Sequence, residues 1–167
     1  MPHAPPRPLP ATIDLEASGL GRGSYPIEVG FVRADGLSWC SLVRPAEHWR
    51  HWDPQAEQVH GITREQLMRH GRPAREVAQA LNAALAGQTV YSDAWGNDWP
   101  WLHQLHDEAG LPPAYRIEAV TALLDEPRRD ALPPLRLQAF EALGIRRHRA
   151  SSDALALQWA LGRLLPS

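Results

Sequence analysis

The order of elements in the 167-residue sequence predicts an α/β domain: three strands, two helices, then strand, helix, strand, helix, helix. Two observations carry this. The first quarter holds strand-forming runs around the hairpin dipeptide Asp35-Gly36, and the remainder alternates helical periodicity with short strand-forming runs. A hairpin thus extends a sheet whose other strands are joined through helices.

Taken in order, "MPHAPPRPLP" is proline-rich and lacks an apolar segment of signal-peptide length. Residues 1–10 are expected to form an extended leader and residues 11–167 one folded domain, with the cytoplasm as its expected location. "ATIDLEA" is the first strand, and "YPIEVGFVRADGLSWCSLVRP" supplies two alternating strands. "PAEHWRHWDPQAEQVHGI" reads as loop with a helical turn near Pro54 to Gln58. Thr63, followed by Glu65 and Gln66, starts a helix, and "PAREVAQALNAALAG" is another, with Pro73 near its first turn and Gly87 as its stop. "QTVYSDA" is the fourth strand, "DWPWLHQLHDEAGL" a helix ending at Gly110, and "YRIEAV" the fifth strand. "LPPLRLQAFEALGI" is a helix closed by Gly144, and "SSDALALQWALGRLL" a last helix with Ser151 or Ser152 as N-cap and Asp153 in its first turn.

Composition narrows the function. No apolar run approaches membrane-span length, so no membrane association is expected. The single cysteine, Cys40, has no disulfide partner within the chain, and its apolar context predicts a buried, inert thiol. All seventeen basic residues are arginine, a bias that genomic base composition explains as well as function does. A net charge of −2 lacks the basic field of a protein that wraps a long duplex, leaving local grip on a few nucleotides as the form nucleic-acid binding would take.

The chemistry lies in the acids. Asp14 and Glu16 are two apart on a strand, so both side chains face one way while Ile13 and Leu15 face the other. Asp98 opens the helix after the fourth strand and Asp153 opens the last, positions that can meet the first strand at one end of a sheet. Four converging carboxylates repel unless cations lie among them, and hard ions such as Mg²⁺ or Mn²⁺ take oxygen ligands while keeping places for phosphate and water. A pair of such ions about 3.5–4 Å apart stabilises both the attacking and the leaving oxygen of phosphodiester cleavage. His148, five residues before Asp153, brings an imidazole suited to general-base work near neutral pH.

"IDLEASG" resembles the first motif of the DEDDh 3′→5′ exonucleases, relatives of the proofreading exonuclease subunit of bacterial replicative polymerase, and "HRASSD" resembles their third. "PIEVGFV" is similar to the glutamate-and-glycine second strand of that family and "VHGIT" to its HGIT segment, so the resemblance covers nearly the whole chain after about residue 10. It implies a ribonuclease H-like fold, a mixed five-stranded sheet with a three-strand N-terminal meander and two parallel strands, flanked by helices. It further implies Asp14, Glu16, Asp98 and Asp153 as ligands of two Mg²⁺ or Mn²⁺ ions per active site and His148 as general base. The implied reaction is hydrolysis of DNA or RNA 3′ ends to nucleoside 5′-monophosphates. A catalytically silent nucleic-acid-binding module and an oligoribonuclease-type enzyme on short RNA are the alternatives, and a homodimer is compatible with the sequence.

The second motif departs from the family. Relatives read histidine, asparagine, two residues, an aromatic and aspartate, whereas this chain reads "DAWGND". Asp93 takes the usual histidine position, and Asp98 is chosen as ligand because it keeps its spacing to an inward Leu102. Asp93 either touches the ligands or makes a turn with Ser92. Expected substrate contacts are Ser18, Gly19, His60, Ile62 and Trp95, with the alternative that His60 and Thr63 end a loop and cap a helix. Trp101 and Trp159 are assigned to packing; Glu28, either inward-facing in support of the site or an outward-facing strand glutamate, is kept out of the ligand set; and "RRHR" is either a solvated turn or a phosphate contact.

Overall fold

The structure, a computed structural model, describes residues 8–166; most of the proline-rich leader, residues 1–7, lies outside the described residues. Strands β1 (Ala11–Ala17), β2 (Pro26–Val32), β3 (Ser38–Leu42), β4 (Thr89–Ser92) and β5 (Arg116–Ala119) form one sheet in the order β3-β2-β1-β4-β5. The first three strands pair antiparallel, and β4 and β5 run parallel to β1. This is the mixed five-stranded ribonuclease H-like sheet implied by the sequence motifs.

Helices cover both faces, so β2 is buried along its whole length instead of alternating between core and solvent. On one face Ile13, Leu15, Ile27, Val29 and Phe31 share a core with Val77, Leu81 and Leu85 of α3 (Ala74–Leu85) and Leu102 and Leu105 of α4 (Trp95–Ala109). On the other, α6 (Ala150–Leu164) packs across β1 and β2, and α5 (Glu126–Leu143) packs on α6. The Thr12 hydroxyl donates to the Ala154 carbonyl at 2.7 Å, fixing α6 along the even-numbered side of β1.

Two short helices, α1 (Pro54–His60) and α2 (Arg64–His70), occupy the segment before α3. α2 starts as predicted at Thr63, whose side chain accepts from the Gln66 amide while the Gln66 side chain accepts from Thr63. Gly110 and Gly144 close α4 and α5 in the left-handed conformation.

Several expectations are corrected. α5 begins at Glu126, six residues before the predicted start, because Asp125 caps it by accepting from the Arg128 amide, while Pro133 and Pro134 lie within the helix. α4 begins at Trp95, so Asp98 lies in the first turn and not at the opening position. Neither Ser151 nor Ser152 caps α6: the cap position is Arg149, with no side-chain cap of its own. Cys40 is exposed, not buried, because β3 is the edge strand and its flanking Trp39 and Leu42 are only half covered. Trp101 and Trp159 are partly buried against core clusters, as the sequence predicts.

Candidate active site

The even-numbered side chains of β1 point toward α6, which places Asp14 and Glu16 between sheet and helix. Because β4 runs parallel to β1, the helix leaving β4 starts at the edge where β1 ends, bringing Asp98 to the same place. Asp98 is 1% exposed, and the Ser92 hydroxyl at the end of β4 donates to it at 2.6 Å. Ser92 also accepts from the Ala94 amide, so one hydroxyl links the end of β4, the start of α4 and the carboxylate.

α6 contributes the remaining acid, and the turn leading into it contributes the imidazole. Asp153 is buried, and both its oxygens accept from the His148 amide, at 3.2 and 3.3 Å. His148 has φ 61°, and among the described residues it is the only non-glycine residue with positive φ. That conformation costs about 1–3 kcal/mol, and residues held in it cluster at active sites, ligand clamps and switch regions. Ligand atoms of Glu16, His148 and Asp153 all lie within 4.8 Å of one another.

Electrostatics define the cluster. Burial pushes the Asp14 carboxyl well above its ordinary value, and the charges of Asp98, Glu16, Asp153 and Asp93 push it further. Glu16 is raised to about 8, first by burial and then by Asp153 and Glu28. Asp98 is raised to about 7 by burial, against the pull of the Ser92 hydroxyl. Asp153 is raised by burial too, opposed by Arg136 and by the His148 amide. The protein's own groups therefore do not keep all four acids ionised at neutral pH. Asp14 Oδ2 and Asp98 Oδ1 are buried without a hydrogen-bond partner, an arrangement that leaves lone pairs free for a cation. An all-carboxylate set with one imidazole at its rim fits Mg²⁺ or Mn²⁺.

The other predicted residues fall into different surroundings. Asp93 pairs with Arg136 of α5 instead of turning back to Ser92, and its charge still reaches Asp14. Ser18 is fully buried, its hydroxyl shared between His51 Nδ1 at 2.9 Å and the Tyr25 amide at 3.0 Å. Gly19 lies so close to Asp53 and His51 that a Cβ there would be 2.7 Å from each side chain. Ile62 belongs to the main core at 2% exposure, and its amide donates to His60 Nδ1. His60 is buried, with Nε2 unpaired, and burial lowers its ring below the ordinary histidine value. Trp95 is exposed, its indole N–H donating to the Ile117 carbonyl and its ring 6.0 Å from Trp99. Of the arginine cluster, Arg149 pairs with Glu28 and Arg147 lies over the Phe140 ring.

Glu28, which the sequence leaves between an inward residue supporting the site and an outward strand glutamate, faces inward. It is 2% exposed and, as the β-register partner of Glu16, stands directly beside the cluster. The available signal was an acid inside "YPIEVGFV", a run too apolar on both sides for a solvent-facing strand residue.

No family model and no curated protein matches the sequence. Among solved structures, E. coli exonuclease I in complex with a dA16 oligonucleotide matches with a TM-score of 0.69 at 16% identity over 92% of this chain and 40% of that one. The zinc-bound exonuclease I–ssDNA complex gives 0.70 at 17% identity, covering 95% and 40% of the two chains. The apo form of exonuclease I gives 0.69 at 17% identity over 95% and 42%. The chain thus spans about two fifths of the length of these exonuclease chains and shares with that part its ribonuclease H-like fold.

Proposed function

We propose that the domain is a metal-dependent 3′→5′ exonuclease that releases nucleoside 5′-monophosphates one at a time from a nucleic-acid end. The observation that carries this reading is the gathering of four buried or half-buried carboxylates, two with orphaned oxygens, beside an imidazole held at the same edge of the sheet. Its likeness in fold to exonuclease structures supports a nuclease, and their bound oligonucleotides make single-stranded DNA the first substrate to test, with RNA beside it.

In this reading Asp14, Glu16 and Asp153 would hold one ion, and Asp14 and Asp98 would help to hold a second. When bound, the two Mg²⁺ or Mn²⁺ ions supply the positive charge that lets all four acids ionise together and offsets charge on the attacking and leaving oxygens. His148 takes the proton of the attacking water on a ring nitrogen. The water oxygen bonds to the terminal phosphorus, the P–O3′ bond breaks, and the freed 3′ oxygen acquires a proton to leave a shortened strand. Of the other expected substrate contacts, Gly19 offers backbone that is packed against Asp53 and His51, and Ser18, His60 and Ile62 are buried. Trp95 presents a ring face on which a base stacks.

The test is a 5′-labelled oligonucleotide incubated with purified protein and Mn²⁺. Stepwise shortening, blocked by a 3′-phosphate and abolished by chelator, is the expected result. Full activity in chelator or in an Asp14→Asn variant overturns the mechanism, and binding without shortening favours the silent module instead.

A further inference from the structure

We propose that Glu28, on β2, is the positioning residue of this site: its carboxylate caps α6 from a neighbouring strand and, through Arg149, holds the turn that carries His148 and the helix that carries Asp153. The inference rests on the reading of the carboxylate cluster as a metal site, and its geometry is independent of that reading.

The first amides of a helix have no partner within it, and a local Ser, Thr, Asp or Asn normally supplies one. α6 has no such residue at its cap position. Glu28, 122 residues away, takes that role: Oε1 accepts from the Ala150 amide at 2.6 Å. Arg149 donates to both oxygens from Nε, at 3.2 and 3.1 Å, and to Oε2 from Nη2 at 2.6 Å. These are charge-assisted bonds, and a carboxylate at a helix N-terminus also meets the favourable end of the helix dipole. Both oxygens are engaged, which separates Glu28 from the ligand set although it stands opposite Glu16 in the sheet.

A second feature of β2 points to the same seat. At Gly30, two residues on and facing the same way, a Cβ would lie 2.6 Å from the Ala150 carbonyl carbon and would press on the Ser151 amide. The first turn of α6 therefore rests on bare backbone at Gly30 while Glu28 ties down its leading amide. Three successive residues are then fixed: His148 by Asp153, and Arg149 and Ala150 by Glu28. The held turn includes the positive-φ conformation at His148, and it sets the approach of His148 and Asp153 to Glu16.

Glu28→Ala and Glu28→Gln, compared with the unaltered protein, test this through Mn²⁺ affinity by calorimetry, kcat and KM on the labelled oligonucleotide, and amide exchange at residues 150–153. Glu28→Ala is expected to weaken Mn²⁺ binding and lower kcat by about 10–100-fold, the loss typical when a group orienting metal ligands is removed, with KM nearly unchanged and faster first-turn exchange. Glu28→Gln keeps an oxygen for the Ala150 amide and is expected to recover most first-turn protection and part of kcat. A folded Glu28→Ala protein with unaltered Mn²⁺ affinity, kcat and exchange overturns the proposal, as does a glutamine variant that recovers nothing. If Glu28→Ala does not fold, Arg149→Met decides: it removes the guanidinium bonds and leaves the Ala150 bond, so a reduced kcat at near-constant KM supports the proposal and unaltered values overturn it. Should the unaltered protein neither bind Mn²⁺ nor shorten the oligonucleotide, the nuclease reading fails, and exchange at residues 150–153 alone decides whether Glu28 holds the helix.

Discussion

Asp14 and Asp98 each keep one buried oxygen with no hydrogen-bond partner, and that shared feature distinguishes them from the chain's surface acids. Ser92 is the sole side-chain donor to Asp98 among the described residues. Ser92→Ala is therefore expected to leave the carboxyl without that bond and to cost about 1–3 kcal/mol of stability, read as a lower melting temperature that Mn²⁺ partly restores. His148→Gln is expected to lower kcat by about 10²–10⁴-fold with oligonucleotide affinity retained, measured by turnover and by binding in Ca²⁺; unchanged turnover would remove His148 from the reaction. Asp14 and Glu16 were legible because a strand's period of two is a local property of the chain. The partners of Glu28 were not, because Arg149 and Ala150 lie 121 and 122 residues away in the chain.

At the level of elements, the site depends on how α6 lies on β2. Gly30→Ala places a methyl group against the Ala150–Ser151 backbone, which has no flexible side chain to yield. A loss of about 1–3 kcal/mol is expected from such overpacking, together with reduced turnover as the helix start shifts, and denaturant melts with kinetics check both. Helix ends marked by local caps were readable: Thr63 with Gln66, Gly110 and Gly144 all behave as the sequence predicts. Ends with unusual chemistry were not. Asp125 starts α5 ahead of an internal Pro133-Pro134 pair that made the later residues look like the beginning, and α6 is capped from another strand.

For the whole molecule, the raised carboxyls give a distinctive pH dependence. A carboxyl raised in the folded state holds a proton that the unfolded chain has already lost, so stability is present at low pH and falls as pH rises between about 4 and the raised values. Glu16 near 8 and Asp98 near 7, with Asp14 and Asp153 also raised, place that fall between about pH 4 and 8. His60 and His106 act oppositely: burial lowers both, so they favour folding as pH climbs through the ordinary histidine range. Their effect is common to metal-free and Mn²⁺-saturated protein, so the difference between the two melting curves isolates the acids. That difference is expected to widen from pH 5.5 to pH 8, because metal binding requires the deprotonated acids; a gap independent of pH would refute the cage.

The sequence by itself determined the strand and helix order, the sidedness of Asp14 and Glu16, and the His148–Asp153 spacing, since periodicity, turn dipeptides and motif spacing are encoded over a few residues. Only the tertiary structure decided that Asp93 pairs with Arg136, that Ser92 serves Asp98, that Cys40 faces solvent and that Glu28 caps α6. Those outcomes turn on which surfaces the sheet order brings together and leaves uncovered, and buried polar groups must take their partners from whatever packs against them.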